Sequence, residues 1–146
     1  MAVGDPFHLE RFIDAQERDG TYEQALDELR RGRKRSHWMW FVFPQVDGLG
    51  QSSTSRYFAI TSLDEAQAYV RHPLLAARLR ESIEALMGAS SDSAEDIFGD
   101  VDAQKLRSSM TIFLRASPGD PDFIRVLDRY FDGQPDSETD RLLKLM

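Results

Sequence analysis

The sequence predicts an all-α fold, a compact single-domain multi-helix array over residues 1–146. Apolar side chains recur every three or four residues through most of the chain, which is the spacing of amphipathic helices. Helix-capping and turn-forming residues separate these stretches. A chain of 146 residues with 41% hydrophobic content can bury one core. No repeat, linker or low-complexity segment indicates a second domain.

Two helices are predicted before the central region. The first follows Asp5-Pro6, where a capping side chain precedes a proline in the first turn. The second follows a predicted capping box at Thr21–Gln24, and Gly32 is a natural stop for it. Their predicted buried faces carry Leu9, Phe12 and Ile13 in the first helix and Tyr22, Ala25, Leu26 and Leu29 in the second.

Further helices are predicted to fill the rest of the chain. A second capping box, Ser62–Glu65, opens one helix, and His72-Pro73 begins a longer one that ends at Gly88. A short helical turn reaches Phe98. Asp102 heads the next helix, which Pro118-Gly119 ends, and the remaining starts are Pro121 and the turn at Gly133–Asp136.

Residues 38–43 are open to two interpretations. They are apolar on every side and rich in aromatic residues, so they could form a buried strand paired with 56–60. An isolated two-stranded ribbon is marginally stable, and the sequence offers no third strand. We therefore favour a short buried helix over 36–43 that Pro44 ends, with the ribbon as the alternative.

Composition narrows the classes of function. A net charge of −7 and a pI near 4.9 argue against duplex nucleic acid as a main partner. No apolar run approaches the roughly 20 residues of a membrane span, and no secretory signal is apparent. The absence of cysteine excludes disulfides and thiolate ligands and agrees with a cytoplasmic location. The histidines lack zinc-ligand spacing, so neither a metal nor a cofactor is predicted, and the oligomeric state stays open.

Residues 34–50 are the most informative segment for function. They hold both tryptophans and the central histidine, directly after a basic run at 30–35. Lys34 is expected to hold a phosphate or carboxylate, and His37 to hydrogen-bond it or to transfer a proton as the catalytic acid or base. The alternative is that the basic residues only complement the dipole of a preceding helix.

The aromatic block supplies candidate contacts for a flat ring. Trp38 and Trp40 could stack on such a ring or could belong to the core, where their indole N–H groups would need partners. Gln45 offers a donor and an acceptor to a ring edge, and Ser52 adds a hydroxyl after the Gly48-Leu49-Gly50 turn. The competing interpretation gives Gln45 and the glycines a role in loop structure alone.

A second candidate strip lies on the helix headed by Asp102. Lys105 and Ser109 share one flank of that helix, with Ser108 farther round. Lys105 could bind an anion or act catalytically on a hydroxyl, and the two serines could contact a ligand. The alternative is a lysine stem that covers apolar surface, with serines that permit close helix packing.

Together these residues predict a pocket for a small anionic, ring-bearing ligand such as a nucleotide, with hydrolysis or group transfer as the reaction class. The alternative is a non-catalytic protein-interaction or structural module. An interaction module would expose an aromatic patch around Trp38, Phe41 and Phe43.

The chain resembles a known family in several blocks. Residues 36–49 read SHWMWFVFPQVDGL, which is similar to the signature of the domain-of-unknown-function 1810 family. The other matching blocks are Asp14–Gln16, Tyr22 with Ala25 and Leu26, Glu65 with Ala66 and Tyr69, His72–Leu74, Ile97–Gly99, Asp102 with Lys105 and Leu106, Ser108–Thr111 with Phe113, and Phe131, Gly133, Asp136 and Thr139. Ala76 stands where the family pattern has glycine. The resemblance implies a small, mainly helical bacterial domain without an assigned activity; the calpastatin-like label given to some relatives has no support in these residues.

Overall fold

The computed structural model describes residues 4–144, and its regular secondary structure is helical, which confirms the predicted all-α class. A 3₁₀ turn at Arg18–Gly20 joins the first two α-helices. The α-helices are α1 (Glu10–Glu17), α2 (Thr21–Arg30), α3 (Met39–Val42), α4 (Ser53–Phe58), α5 (Leu63–Arg71), α6 (Pro73–Met87), α7 (Ala94–Phe98), α8 (Asp100–Ala116), α9 (Pro121–Phe131) and α10 (Ser137–Leu142).

Most helix starts follow the predicted caps, but those of α1, α2 and α8 do not: α1 begins at Glu10 after Leu9, and α8 begins at Asp100 after Gly99, two residues before Asp102. The Ser62 hydroxyl accepts a hydrogen bond from the Glu65 N–H at 3.1 Å, and the His72 imidazole accepts one from the Leu75 N–H at 3.3 Å. The capping box at Thr21 is wrong. Thr21 already has helical backbone angles, because Gly20 with φ of +68° is the residue before α2, and its hydroxyl donates backward to the Arg18 carbonyl.

The central segment forms helices, so the ribbon alternative is wrong. Residues 39–42 are α3, and 53–58 are α4, whose start is capped by the Ser52 hydroxyl. One isolated parallel bridge joins Val46 to Ile60 within the described residues, where the Ile60 N–H donates to the Gln45 carbonyl and the Asp47 N–H donates to the Ile60 carbonyl, both at 2.8 Å. Residues 39–42 therefore form a short helix with a buried face, although residues 38–43 have high strand propensity.

Helix α8 runs through the centre of the domain. It packs against α5, α7, α9 and α10, and its residue Phe113 is fully buried. The Phe113 ring lies 5.0 Å from the Tyr69 ring and 5.8 Å from the Phe123 ring, measured between centroids. This arrangement brings α8 beneath the loop that follows α3.

A buried ion pair fixes the segment after α4. Arg11 on α1 lies 2.7 Å from the Glu65 carboxylate on α5, and both side chains are almost fully buried. Its guanidinium also donates to the carbonyls of Tyr57 and Ala59, at 2.8 and 3.0 Å. These contacts hold the chain between α4 and α5 in place.

Across residues 4–144, none of the helices combines the length and the apolar character that crossing a bilayer requires.

Candidate functional site

A cavity of about 560 Å³ opens beside Trp40, between the loop after α3, the start of α4, the first half of α8 and the start of α10. We call it the Trp40 cavity; its volume is within the range of small-molecule sites. Four residues that the sequence singled out line it, namely Trp40, Gln45, Ser52 and Lys105. The others are Leu49, Gly50, Gln51, Ser55, Val101, Gln104, Asp136 and Glu138.

Trp40 forms one wall and has an unsatisfied donor. Its indole Nε1 is buried and has no hydrogen-bond partner among the described residues. The ammonium of Lys105 lies over the indole, 4.7 Å from the ring centroid. A cation in that position is attracted by the ring quadrupole, so Lys105 shields one face of Trp40.

Gln45 also lines the cavity and has an unsatisfied acceptor. The residue is only 2% exposed, and its amide oxygen accepts no hydrogen bond from the described residues. Gly50 lies so close that a methyl group on its Cα would come within 2.8 Å of the Gln45 Nε2 and 2.6 Å of the Ser55 Oγ. A glycine at this position is what lets the loop close over the amide.

Lys34 and Lys105 share one carboxylate instead of both facing the cavity. Asp102 lies 2.8 Å from the Lys34 ammonium and 3.1 Å from that of Lys105. Burial acts to raise the pKa of Asp102, but the hydrogen bonds and charges of the two lysines outweigh it and hold that pKa below its ordinary value. Asp102 is therefore ionised, and the three groups carry one net positive charge.

The predicted serines have structural partners, apart from Ser109. Ser52 lines the cavity and caps α4. Ser108 is fully buried; its hydroxyl accepts from the Val46 N–H at 3.3 Å and lies 2.8 Å from the Thr139 hydroxyl. Ser109 is also fully buried, and its hydroxyl has no partner among the described residues. Neither Ser108 nor Ser109 lines the cavity.

His37 and Trp38 lie apart from the cavity walls. His37 is exposed, whereas Trp38 is 1% exposed and donates its indole N–H to Glu28 at 2.9 Å. Side chains alternate along this segment: those of residues 34, 36 and 38 lie on its inner side, and those of 35 and 37 lie on its outer side. The structure thus places His37 and Trp38 outside the lining of the Trp40 cavity.

The aromatic surface expected of an interaction module does not form. Phe43 and Trp38 are both inside the core, and Phe41 is partly buried against Phe58, with 5.2 Å between the ring centroids.

Nothing in the sequence indicated the role of Glu28, whose buried carboxylate holds the backbone of the basic segment. Its carboxylate accepts hydrogen bonds from the Arg35 and Ser36 N–H groups at 2.7 and 2.9 Å, from the Ser36 hydroxyl at 2.7 Å and from Trp38. An acidic residue next to the apolar stripe of α2 carries no sequence signal for this role. The cavity residues Asp136 and Glu138 were also missed, since they read as the cap and first turn of a helix.

The acidic residues on the cavity wall have partners of their own. Asp136 accepts from the Thr139 N–H at 3.1 Å and from its hydroxyl at 2.5 Å, and Glu138 pairs with Arg141. Within residues 4–144, no group of three histidine, aspartate or glutamate side chains is arranged to hold a metal ion.

These features define a helical protein with a cavity between its central helix and the loop after α3. A family profile described as "Protein of unknown function (DUF1810)" matches residues 6–143, and the chain belongs to this family. A solved structure, that of the conserved hypothetical protein Rv1873 from Mycobacterium tuberculosis, is similar at 47% identity and a TM-score of 0.91. The similarity covers 97% of this chain and 100% of that one. No curated protein matches the chain.

Proposed function

We propose that the Trp40 cavity binds a small molecule that combines a flat ring with an anionic group, as a nucleotide does. The observation that carries the proposal is that two residues lining the cavity each hold a buried polar atom without a partner among the described residues, the Trp40 Nε1 and the Gln45 Oε1. An unpaired buried polar group costs about 1–3 kcal/mol, so a ligand whose acceptor and donor reach these two atoms would recover that free energy.

The charge distribution supports an anionic group on the ligand. Lys34, Asp102 and Lys105 leave one positive charge, and of the two lysines only Lys105 reaches the cavity. An anion that attracts the Lys105 ammonium would also draw it off the Trp40 ring and uncover a face for stacking.

We propose binding without proposing a reaction. The hydrolase or transferase chemistry expected from the sequence assigned proton transfer to His37, and His37 does not line this cavity. We also propose a bacterial, cytoplasmic protein, with the mycobacterial relative as support for the bacterial part.

The test is titration with AMP and ADP-ribose, followed by intrinsic tryptophan fluorescence and by thermal unfolding. We expect a rise in the midpoint of unfolding and a change in tryptophan emission, because the ligand would replace the Lys105 ammonium against the Trp40 ring. Lys105→Met keeps the side-chain stem but removes the charge, and we expect it to weaken binding about tenfold, the equivalent of about 1.4 kcal/mol. Trp40→Phe should remove the fluorescence change.

The matched control is Lys144→Met, which removes an exposed lysine. Its affinity for both probes should equal that of the wild type. Binding that survives Lys105→Met and Trp40→Phe unchanged would remove the proposal, as would a wild-type protein that binds neither probe.

A further inference from the structure

The segment after α2 presents arginines at alternate positions. Residues 31, 33, 35 and 37 are exposed, whereas 32, 34 and 36 are partly buried. The exposed side chains are Arg31, Arg33, Arg35 and His37. The chain as a whole has a net charge of −7, so this concentration of positive charge runs against its overall balance.

The backbone that carries these arginines is held from inside. Glu28 accepts hydrogen bonds from two consecutive N–H groups, those of Arg35 and Ser36, and the Lys34 N–H donates to the Ile97 carbonyl at 2.7 Å. Because the backbone is fixed before any ligand arrives, little ordering of the chain would oppose binding.

A hollow of about 400 Å³ lies between this segment and α2, and we call it the arginine hollow. Arg31, Arg33 and Arg35 line it, with Asp27 and Glu28. Arg31 pairs with Asp27 at 3.1 Å, and the Glu28 carboxylate is occupied by its four donors. Arg33 and Arg35 form no ion pair with a carboxylate among residues 4–144. The three arginines outnumber the two carboxylates, Asp27 and Glu28, so the hollow carries a net positive charge.

Several half-buried arginines elsewhere in the chain are neutralised by carboxylates. Arg80 pairs with Asp120 at 2.8 Å, and Arg115 pairs with Asp140 at 2.8 Å. Arg33 and Arg35 differ from these in that both guanidinium groups lack a carboxylate partner among the described residues and line one hollow.

We propose that the arginine hollow binds the diphosphate or phosphate dianion of a small phosphorylated molecule through Arg33 and Arg35. Guanidinium groups match phosphate oxygens in a two-point hydrogen-bonded geometry, and they are more weakly hydrated than ammonium groups. The site shares no lining residue with the Trp40 cavity, and the inference is independent of the function proposed above.

The test is isothermal titration of the full chain with inorganic pyrophosphate, with inorganic phosphate and a glutamate-rich octapeptide as comparisons. We expect one pyrophosphate per chain, with an affinity that falls as salt rises. Arg33→Gln and Arg35→Gln should each weaken binding at least about tenfold, or about 1.4 kcal/mol. Both residues are exposed, so circular dichroism should show unchanged folding.

Arg71→Gln is the matched control, since Arg71 is exposed on α5 and likewise has no ion pair with a described carboxylate. It should bind pyrophosphate as the wild type does. A wild type that does not bind, equal weakening in all three variants, or weakening in Lys105→Met alone would overturn the proposal. Binding of the octapeptide in preference to pyrophosphate would also overturn it and would assign the hollow to a protein partner.

Discussion

Glu28 decides the conformation of the basic segment through one carboxylate. Burial acts to raise the pKa of Glu28, but hydrogen bonds from Arg35, Ser36 and Trp38 outweigh it and lower that pKa to about 2, from an ordinary value of 4.5. The side chain is therefore an anion in the folded protein at any physiological pH. It holds Trp38 inside and sets the direction of the exposed arginines.

We predict that Glu28→Gln lowers the free energy of unfolding by about 1.5–3 kcal/mol, because a neutral amide replaces a charged acceptor and turns an NH₂ group toward other donors. Urea unfolding followed by tryptophan fluorescence measures the loss. Glu23→Gln on the exposed face of α2 is the control and should change stability by less than about 0.5 kcal/mol.

The same substitution should alter the acid dependence of stability. The folded-state pKa of Glu28 is depressed, so its contribution is full above the unfolded value of 4.5 and is lost as pH falls toward 2. Wild-type stability should thus fall more steeply between these pH values than that of Glu28→Gln. Parallel curves for the two proteins would mean that Glu28 is not the group that titrates.

At the scale of elements, α10 completes the Trp40 cavity and depends on buried hydroxyl groups for its position. Thr139 is fully buried, and its hydroxyl contacts both the Asp136 carboxylate and the Ser108 hydroxyl on α8. Thr111, also on α8, accepts from the Asp136 N–H at 2.8 Å. The helix is short, so these contacts substitute for a long apolar interface.

We predict that Thr139→Val destabilises the protein by about 1–3 kcal/mol, since Ser108 and Asp136 each lose a buried partner while side-chain volume is kept. Hydrogen exchange of the amides in 137–142 should accelerate more than that of α6. The exposed Thr54 on α4 provides the comparison, and Thr54→Val should leave exchange in α10 unchanged. Equal acceleration in every helix would show that Thr139 does not hold α10 selectively.

Local sequence signals predicted most helices but missed α4. Ser52 caps this helix, yet the residues that follow it, Ser53 to Phe58, lack an apolar stripe long enough to read as a helix. The Arg11 guanidinium holds the end of α4, because it donates to the carbonyls of Tyr57 and Ala59, which lie 46 and 48 residues away along the chain. Contacts over that separation leave no periodic pattern.

At the scale of the whole molecule, the aromatic rings packed around Phe113 join α5, α8 and α9 into one core. We predict that Phe113→Ala lowers the free energy of unfolding by about 3–5 kcal/mol, the usual cost of a large cavity in a core. Ile124→Ala on α9, where the side chain is 37% exposed, should cost about 1 kcal/mol.

The unfolding of Phe113→Ala also tests the prediction that the chain forms a single domain. Circular dichroism and tryptophan fluorescence should report the same midpoint, because Trp38, Trp40 and the α5–α8–α9 core would unfold as one cooperative unit. Two separate transitions, or a smaller loss in Phe113→Ala than in Ile124→Ala, would contradict it.

The sequence by itself determined the helical class, most of the helix starts and the presence of cationic groups beside an aromatic block, since these follow from short-range spacing and capping chemistry. Tertiary structure alone decided which of those groups meet. In the folded chain Lys34 and Trp38 lie on the inner side of their segment, and His37 lies on the outer side. Asp102 on α8 forms an ion pair with Lys34. Pairing across about 70 residues depends on how helices pack, and packing is a property of the whole chain.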